Sequence, residues 1–200
     1  MKVSVETKVN RLNDIIESMN ALNDRSVEVG CIEGEHKYLA AVHEYGCTIK
    51  ATNAKYLTVP CSPKAVGHKA SDFPDLFFLE AKSGHKFLAK PIGKDRFECY
   101  YWLTASVNIP ERAFLRNGHD ENIERVLDQS ELYLKELLDG RKTPQQYLDA
   151  VGQQLTTAIK TYARDLSSPP NSNITQEAKG SSNPLVDTGE MIEGITFRTE

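Results

Sequence analysis

Along this chain apolar residues recur at steps of three and four in some stretches and alternate with polar ones in others, and the two periods separate helices from strands. The clearest helix spans 143–166, where Leu148, Val151, Leu155, Ile159, Tyr162 and Leu166 form one stripe. Thr143, Pro144 and Gln146 start it with a hydroxyl N-cap, a proline at the first helical position and the glutamine of a capping box. Pro169 and Pro170 end it, since proline cannot continue the hydrogen-bond ladder. Val5, Val9, Leu12, Ile16 and Met19 predict an amphipathic first helix. Tyr38, Leu39, Ala41, Val42 and Tyr45 predict a short second one, closed by Gly46 in the left-handed position after its last turn. Ile123, Val126, Leu127, Leu134, Leu137 and Leu138 predict a further helix stopped by Gly140, its stripe interrupted at Ser130 and Glu131.

The strand period appears first at 26–32, with Val27, Val29 and Cys31 on one side. Short β-prone runs follow at 56–59, 76–81, 86–90 and 97–103, with Ser83 and Gly84 as a hairpin turn and 63–74 as a polar loop. This stretch, about 50–106, reads as an antiparallel subsheet inserted into the main fold. Val107, Ile109, Phe114 and Leu115 flank Pro110 in an extended segment of edge character, and Asn117 with Gly118 predicts a turn. Residues 171–183 are polar and irregular, a surface arm within about 168–184 that orders on a partner. Asp187 and Thr188 cap a short turn at Glu190, and Ile195 and Phe197 close with a strand. The expected class is α+β: an antiparallel or mixed sheet packed against two or three long helices, in one domain carrying the insertion and the arm.

Composition narrows the function. With 200 residues, 40% hydrophobic and 26% charged, the chain is of ordinary globular type. A net charge of -4 gives no bulk attraction for nucleic acid. Residues 120–139 are strongly acidic, set against only Arg125 and Lys135, and would repel a phosphate backbone. Cys31, Cys47, Cys61 and Cys99 show no CxxC spacing and read as reduced thiols. No apolar run reaches the length of a membrane span, and synthesis in the cytoplasm is expected.

Candidate chemistry does not accumulate. His43 and Glu44 begin a HExxH pattern, but Cys47 stands where its second histidine belongs, so they read as helix-terminal residues that orient the next loop. His36, His68, His85 and His119 lie in separate polar segments without a nucleophile beside them. Lys179 and Gly180 lack the remainder of a phosphate loop, and Asp187, Thr188 and Gly189 fit an N-cap better than an aspartic-protease loop. Tyr100, Tyr101 and Trp102, with no interleaved cations, fit a core or a subunit contact. No catalytic, cofactor or metal residue is assigned. Two classes remain: an assembly protein, or a small intracellular hydrolase or nuclease whose catalytic group the sequence hides.

Two segments tip the balance. The run Ile109, Pro110, Glu111, Arg112, Ala113, Phe114 and Leu115 is followed by Pro169, Pro170 and Asn171, then Thr175, Lys179 and Gly180, then Pro184, Leu185, Val186, Asp187, Thr188 and Gly189. In this order, behind the helix ending Val42, His43, Glu44, Tyr45 and Gly46, the chain resembles the tailed-bacteriophage virion morphogenesis proteins of the neck and tail-completion class, the head-tail connectors. The resemblance covers nearly the whole chain, and the β-rich stretch exceeds that of compact members. It implies a non-enzymatic virion protein at the head-tail junction, made in the host bacterial cytoplasm, which forms a homo-oligomeric ring, a hexamer or dodecamer. Its implied partners are portal or head-completion proteins on one side and the tail tube or tail terminator protein on the other. DNA is implied only as passing cargo, and no membrane or cofactor. The matching residues Ile109, Pro110, Arg112, Phe114, Pro169, Pro170, Asn171, Thr175, Lys179, Leu185, Asp187 and Thr188 become candidate subunit or partner contacts. Arg112 either reaches a carboxylate on a neighbour or finds a partner within its own chain.

Overall fold

The computed structural model describes residues 11–200. In chain order the elements are α1 (Leu12–Asn23), β1 (Val27–Gly30), α2 (His36–Tyr45), β2 (Cys47–Lys50), β3 (Leu57–Pro60), β4 (Phe77–Glu80), β5 (Lys86–Pro91), β6 (Phe97–Thr104) and β7 (Ser106–Ile109). They continue with α3 (Phe114–Asp120), α4 (Ile123–Leu138), α5 (Pro144–Asp165), α6 (Asn173–Lys179), α7 (Glu190–Glu193) and β8 (Thr196–Thr199). Val5 and Val9, assigned to the first helix by spacing, lie outside the described residues. All strand pairs among the described residues are antiparallel, and the class is α+β.

The chain forms two compact units, each built from separated segments. The first takes residues up to Lys37, Phe114–Ala163 and Ile192–Glu200. Here β1 and β8 pair from Val27 with Thr199 to Gly30 with Thr196, joining segments near the two ends of the sequence. The apolar face of α5 buries Leu148, Val151, Leu155 and Ile159, as its stripe requires. Its capping box is complete: Gln146 N–H donates to Thr143 Oγ1 at 3.2 Å, and Thr143 N–H donates to Gln146 Oε1 at 3.0 Å. Ser130, which breaks the apolar pattern of α4, is fully buried and returns its hydroxyl to the Val126 carbonyl at 2.7 Å.

The second unit takes Tyr38–Ala113 and Arg164–Met191. Strands β2 and β7 form a two-stranded ribbon, Cys47 opposite Ile109 and Lys50 opposite Ser106. From its end springs a four-stranded sheet in the order β3-β6-β5-β4, the subsheet expected from the sequence. Gly84, at φ 81°, turns β4 into β5. A bulge in β6 sets both Tyr100 and Tyr101 into a core with Ala65, Phe73, Leu76 and Leu88. Their burial makes these two rings core, not a stacking platform.

Three local expectations are corrected. Asn117 and Gly118 do not turn the chain; they lie inside α3. A Cβ on Gly118 would stand 3.3 Å from the Ile159 Cα, so this glycine permits close helix approach instead of a bend. The extended segment also stops sooner than expected, because Phe114 already opens α3. The third correction concerns the arm. Residues 173–179 are helical: Thr175 N–H donates to the Ser172 cap at 3.3 Å, and Gly180, at φ 65°, returns its N–H to the Gln176 carbonyl at 2.9 Å. With only Ile174 and Ala178 apolar in α6, the helical period had too few turns to register.

Candidate functional site

The second unit brings the two separated signature segments together at Arg112. The reason starts in the backbone. Helix α2 ends with carbonyls that lack an intrahelical donor, and the chain after β7 supplies them: Arg112 N–H donates to the His43 carbonyl at 2.8 Å and Ala113 N–H to the Glu44 carbonyl at 3.2 Å. The approach requires Gly46 at φ 67°, where any Cβ would stand 2.7 Å from the Glu111 nitrogen. It also holds Ala113 at φ 45°, a left-handed conformation disfavoured for alanine.

The Arg112 side chain is 4% exposed, and its partners are all neutral. Nε donates to the Pro169 carbonyl at 3.2 Å, one terminal nitrogen lies 2.8 Å from His43 Nδ1, and the other donates to Asn171 Oδ1 at 2.9 Å. Asn171 passes the connection on, its amide donating to the Pro184 carbonyl at 3.2 Å while its own carbonyl receives Gln176 Nε2 at 2.7 Å. Lys179 Nζ lies 3.4 Å from the same Pro184 carbonyl. Asn183 fixes the return, accepting Leu185 N–H and Val186 N–H at its Oδ1 and donating to the Arg164 carbonyl. Residues 169–186 are therefore tied to Arg112 by a chain of hydrogen bonds, most of them between a side chain and the backbone.

Electrostatics follow from this packing. Burial, then the positive charges of Arg112 and Lys179, pull the His43 imidazole down to about 4. At neutral pH His43 is uncharged, and its Nδ1 is free of a proton to accept from Arg112. Lys179 is lowered by burial against the opposing pull of Asp187. The arrangement is a tie between segments, in which cations find carbonyl and amide oxygens.

Of the residues marked by the resemblance, Arg112, Phe114 and Leu185 are buried within the chain, and Ile109, Pro110, Pro169, Asn171 and Lys179 are half-buried. Pro170, Thr175, Asp187 and Thr188 are exposed. Arg112 thus takes the intrachain alternative, with no carboxylate among its bonded partners. Sequence reasoning missed His43 and Asn183 as members of this cluster. Asn183 before Pro184 is a turn signal that marks its position; nothing local marks His43. Among the described residues no group of three or more His, Cys, Asp or Glu is placed to hold a metal ion, and the four cysteines are free thiols.

No family model, curated protein or solved structure matches this chain.

Proposed function

We propose that the protein is a structural component of the head-tail junction of a tailed phage. It assembles as a homo-oligomeric ring, hexameric or dodecameric, between portal or head-completion proteins and the tail tube or its terminator, and leaves a channel through which DNA passes. The observation that carries this reading is the convergence on Arg112 of the 109–112 run with residues 169–184. Two short segments far apart in sequence form one connected element, which supports reading them as a single set.

The outer surface supports oligomerisation. Helix α1 has no buried residue and turns Leu12, Ile16 and Met19 to solvent, while Leu127 and Leu132 on α4 are also exposed. Such apolar positions on one unit are of the kind that a subunit neighbour covers. The acidic residues of α4 suit a surface past which a phosphate backbone slides without adhering.

Light scattering of the purified protein and negative-stain images are expected to show rings with a central opening, and labelled antibody is expected to mark the collar of intact particles. Labelling elsewhere on the particle, or divalent-metal-dependent cleavage of DNA abolished by one conservative substitution, would overturn this reading.

A further inference from the structure

The four-stranded sheet has two edges, and they differ. Cys61 N–H donates to the Tyr100 carbonyl at 2.8 Å, so in the antiparallel alternation Val59 and Leu57 also point their backbone groups toward β6. Thr58 and Pro60 then face outward. Proline has no N–H, so the outer side of β3 lacks a donor where an added strand would need one. That edge is closed by its own sequence.

On the opposite edge, Ala81 N–H donates to the His85 carbonyl at 2.9 Å, which directs Leu79 and Phe77 toward β5 and leaves Phe78 and Glu80 facing out. Both outward residues keep an N–H and a C=O, and β4 contains no proline. The charges that commonly guard an edge are engaged within the unit: Asp75 with Lys90 and Glu80 with Lys86, each at 3.3 Å. Beside these two half-exposed carboxylates the edge also presents apolar rings, Phe78 at 53% and Phe77 at 39% exposed.

We infer that β4 pairs with β4 of a second copy of this chain, antiparallel and centred on Phe78. Three observations select the occupant. One open edge per sheet means that two identical sheets meet only edge to same edge, which closes at two instead of growing a filament. The alternation requires outward residues to face outward residues, and the register about Phe78 meets that condition. Phe78 N–H donates to the Phe78 carbonyl of the second copy and receives the reciprocal bond, while Glu80 N–H reaches the second copy's Leu76 carbonyl. In that register apolar side chains oppose each other on both faces, Phe78 with Phe78 and Phe77 with Leu79, and no like charges are opposed. The pairing makes one eight-stranded sheet across a two-fold axis, and it stands apart from the ring reading because it uses only the insertion.

The test is light scattering of the full chain over a concentration series, with amide hydrogen exchange. The wild type is expected to double in mass, with slowed exchange at Phe78 and Glu80 as concentration rises. Phe78→Lys is expected to weaken doubling by about tenfold or more in dissociation constant. Glu80→Pro, which removes an outward N–H and the half-exposed ion pair to Lys86 but no backbone bond within the sheet, is expected to do the same while circular dichroism stays unchanged. Thr58→Lys, on the closed edge, is expected to leave doubling intact. A wild type that never doubles, or doubling that Phe78→Lys and Glu80→Pro both leave unaltered, overturns the inference. Rings that persist in Phe78→Lys separate this result from the fate of the ring reading.

Discussion

The Arg112 cluster and the β4 edge lie in the same unit and treat their polar groups in opposite ways. Around Arg112 a buried cation has oxygen and nitrogen partners from its own chain, and capping carbonyls find donors from a segment remote in sequence. Along β4 the backbone donors of Phe78 and Glu80 face out, beside exposed aromatic rings. The difference teaches that residues singled out by a resemblance can serve to hold a chain to itself, while an open strand edge stands where no sequence marker points.

Removing the cation gives the largest expected effect. Arg112→Met leaves the half-buried acceptors of Pro169 and Asn171 without their donor and removes a buried cation from its partners, and a loss of about 3 kcal/mol is expected in urea unfolding. Arg112→Lys is expected to recover less than half of that, because an ammonium cannot span three partners held in a planar fork. If Arg112→Met unfolds at the wild-type urea midpoint, the contrast with β4 disappears.

Gly46→Ala comes next, at about 2 to 3 kcal/mol by the same measurement, from a left-handed φ together with a Cβ driven against the Glu111 backbone. A smaller effect is expected from pH. The imidazole of His43 titrates near 4 in the folded chain and near its ordinary value of 6.5 when unfolded. Between those values the unfolded chain binds more protons, so stability is greatest above about 6.5 and falls as pH drops toward 4. The loss is expected to reach about 2 kcal/mol after allowance for solvent screening, and His43→Gln is expected to remove that slope from a series of melts at stepped pH. Smallest is Phe78→Lys, within about 0.5 kcal/mol of wild type in stability despite its effect on mass. A large loss of stability there would mean that β4 belongs to the core and is no docking edge.

How much of this was readable beforehand depended on how local the physics was. The Thr143 and Gln146 capping box, Gly46 and Gly140 after their helices, and the β-rich insertion were legible because caps, turns and alternation are written within a few residues. Gly118 was misread because its reason is the Cα of Ile159, distant in sequence. The helix at 173–179 was missed although Ser172 and Gly180 both mark its ends, because a seven-residue segment offers too few apolar positions to show a period. At the candidate site Arg112 and Asn171 were singled out by the resemblance alone. Neither their bond nor the part of His43 follows from spacing, since burial and the meeting of remote segments create them.

The ribbon of β2 and β7 has an evolutionary consequence. Ala51 N–H donates to the Ala105 carbonyl at 3.1 Å, so residues 51 and 105 leave and rejoin the ribbon side by side. Closure of that gap depends only weakly on how many residues lie beyond it. Changes of length far from residues 63–65, which touch α6, are therefore modular: a lineage can lengthen or shorten the outer hairpins of the lobe and retain the Arg112 tie at the ribbon's other end.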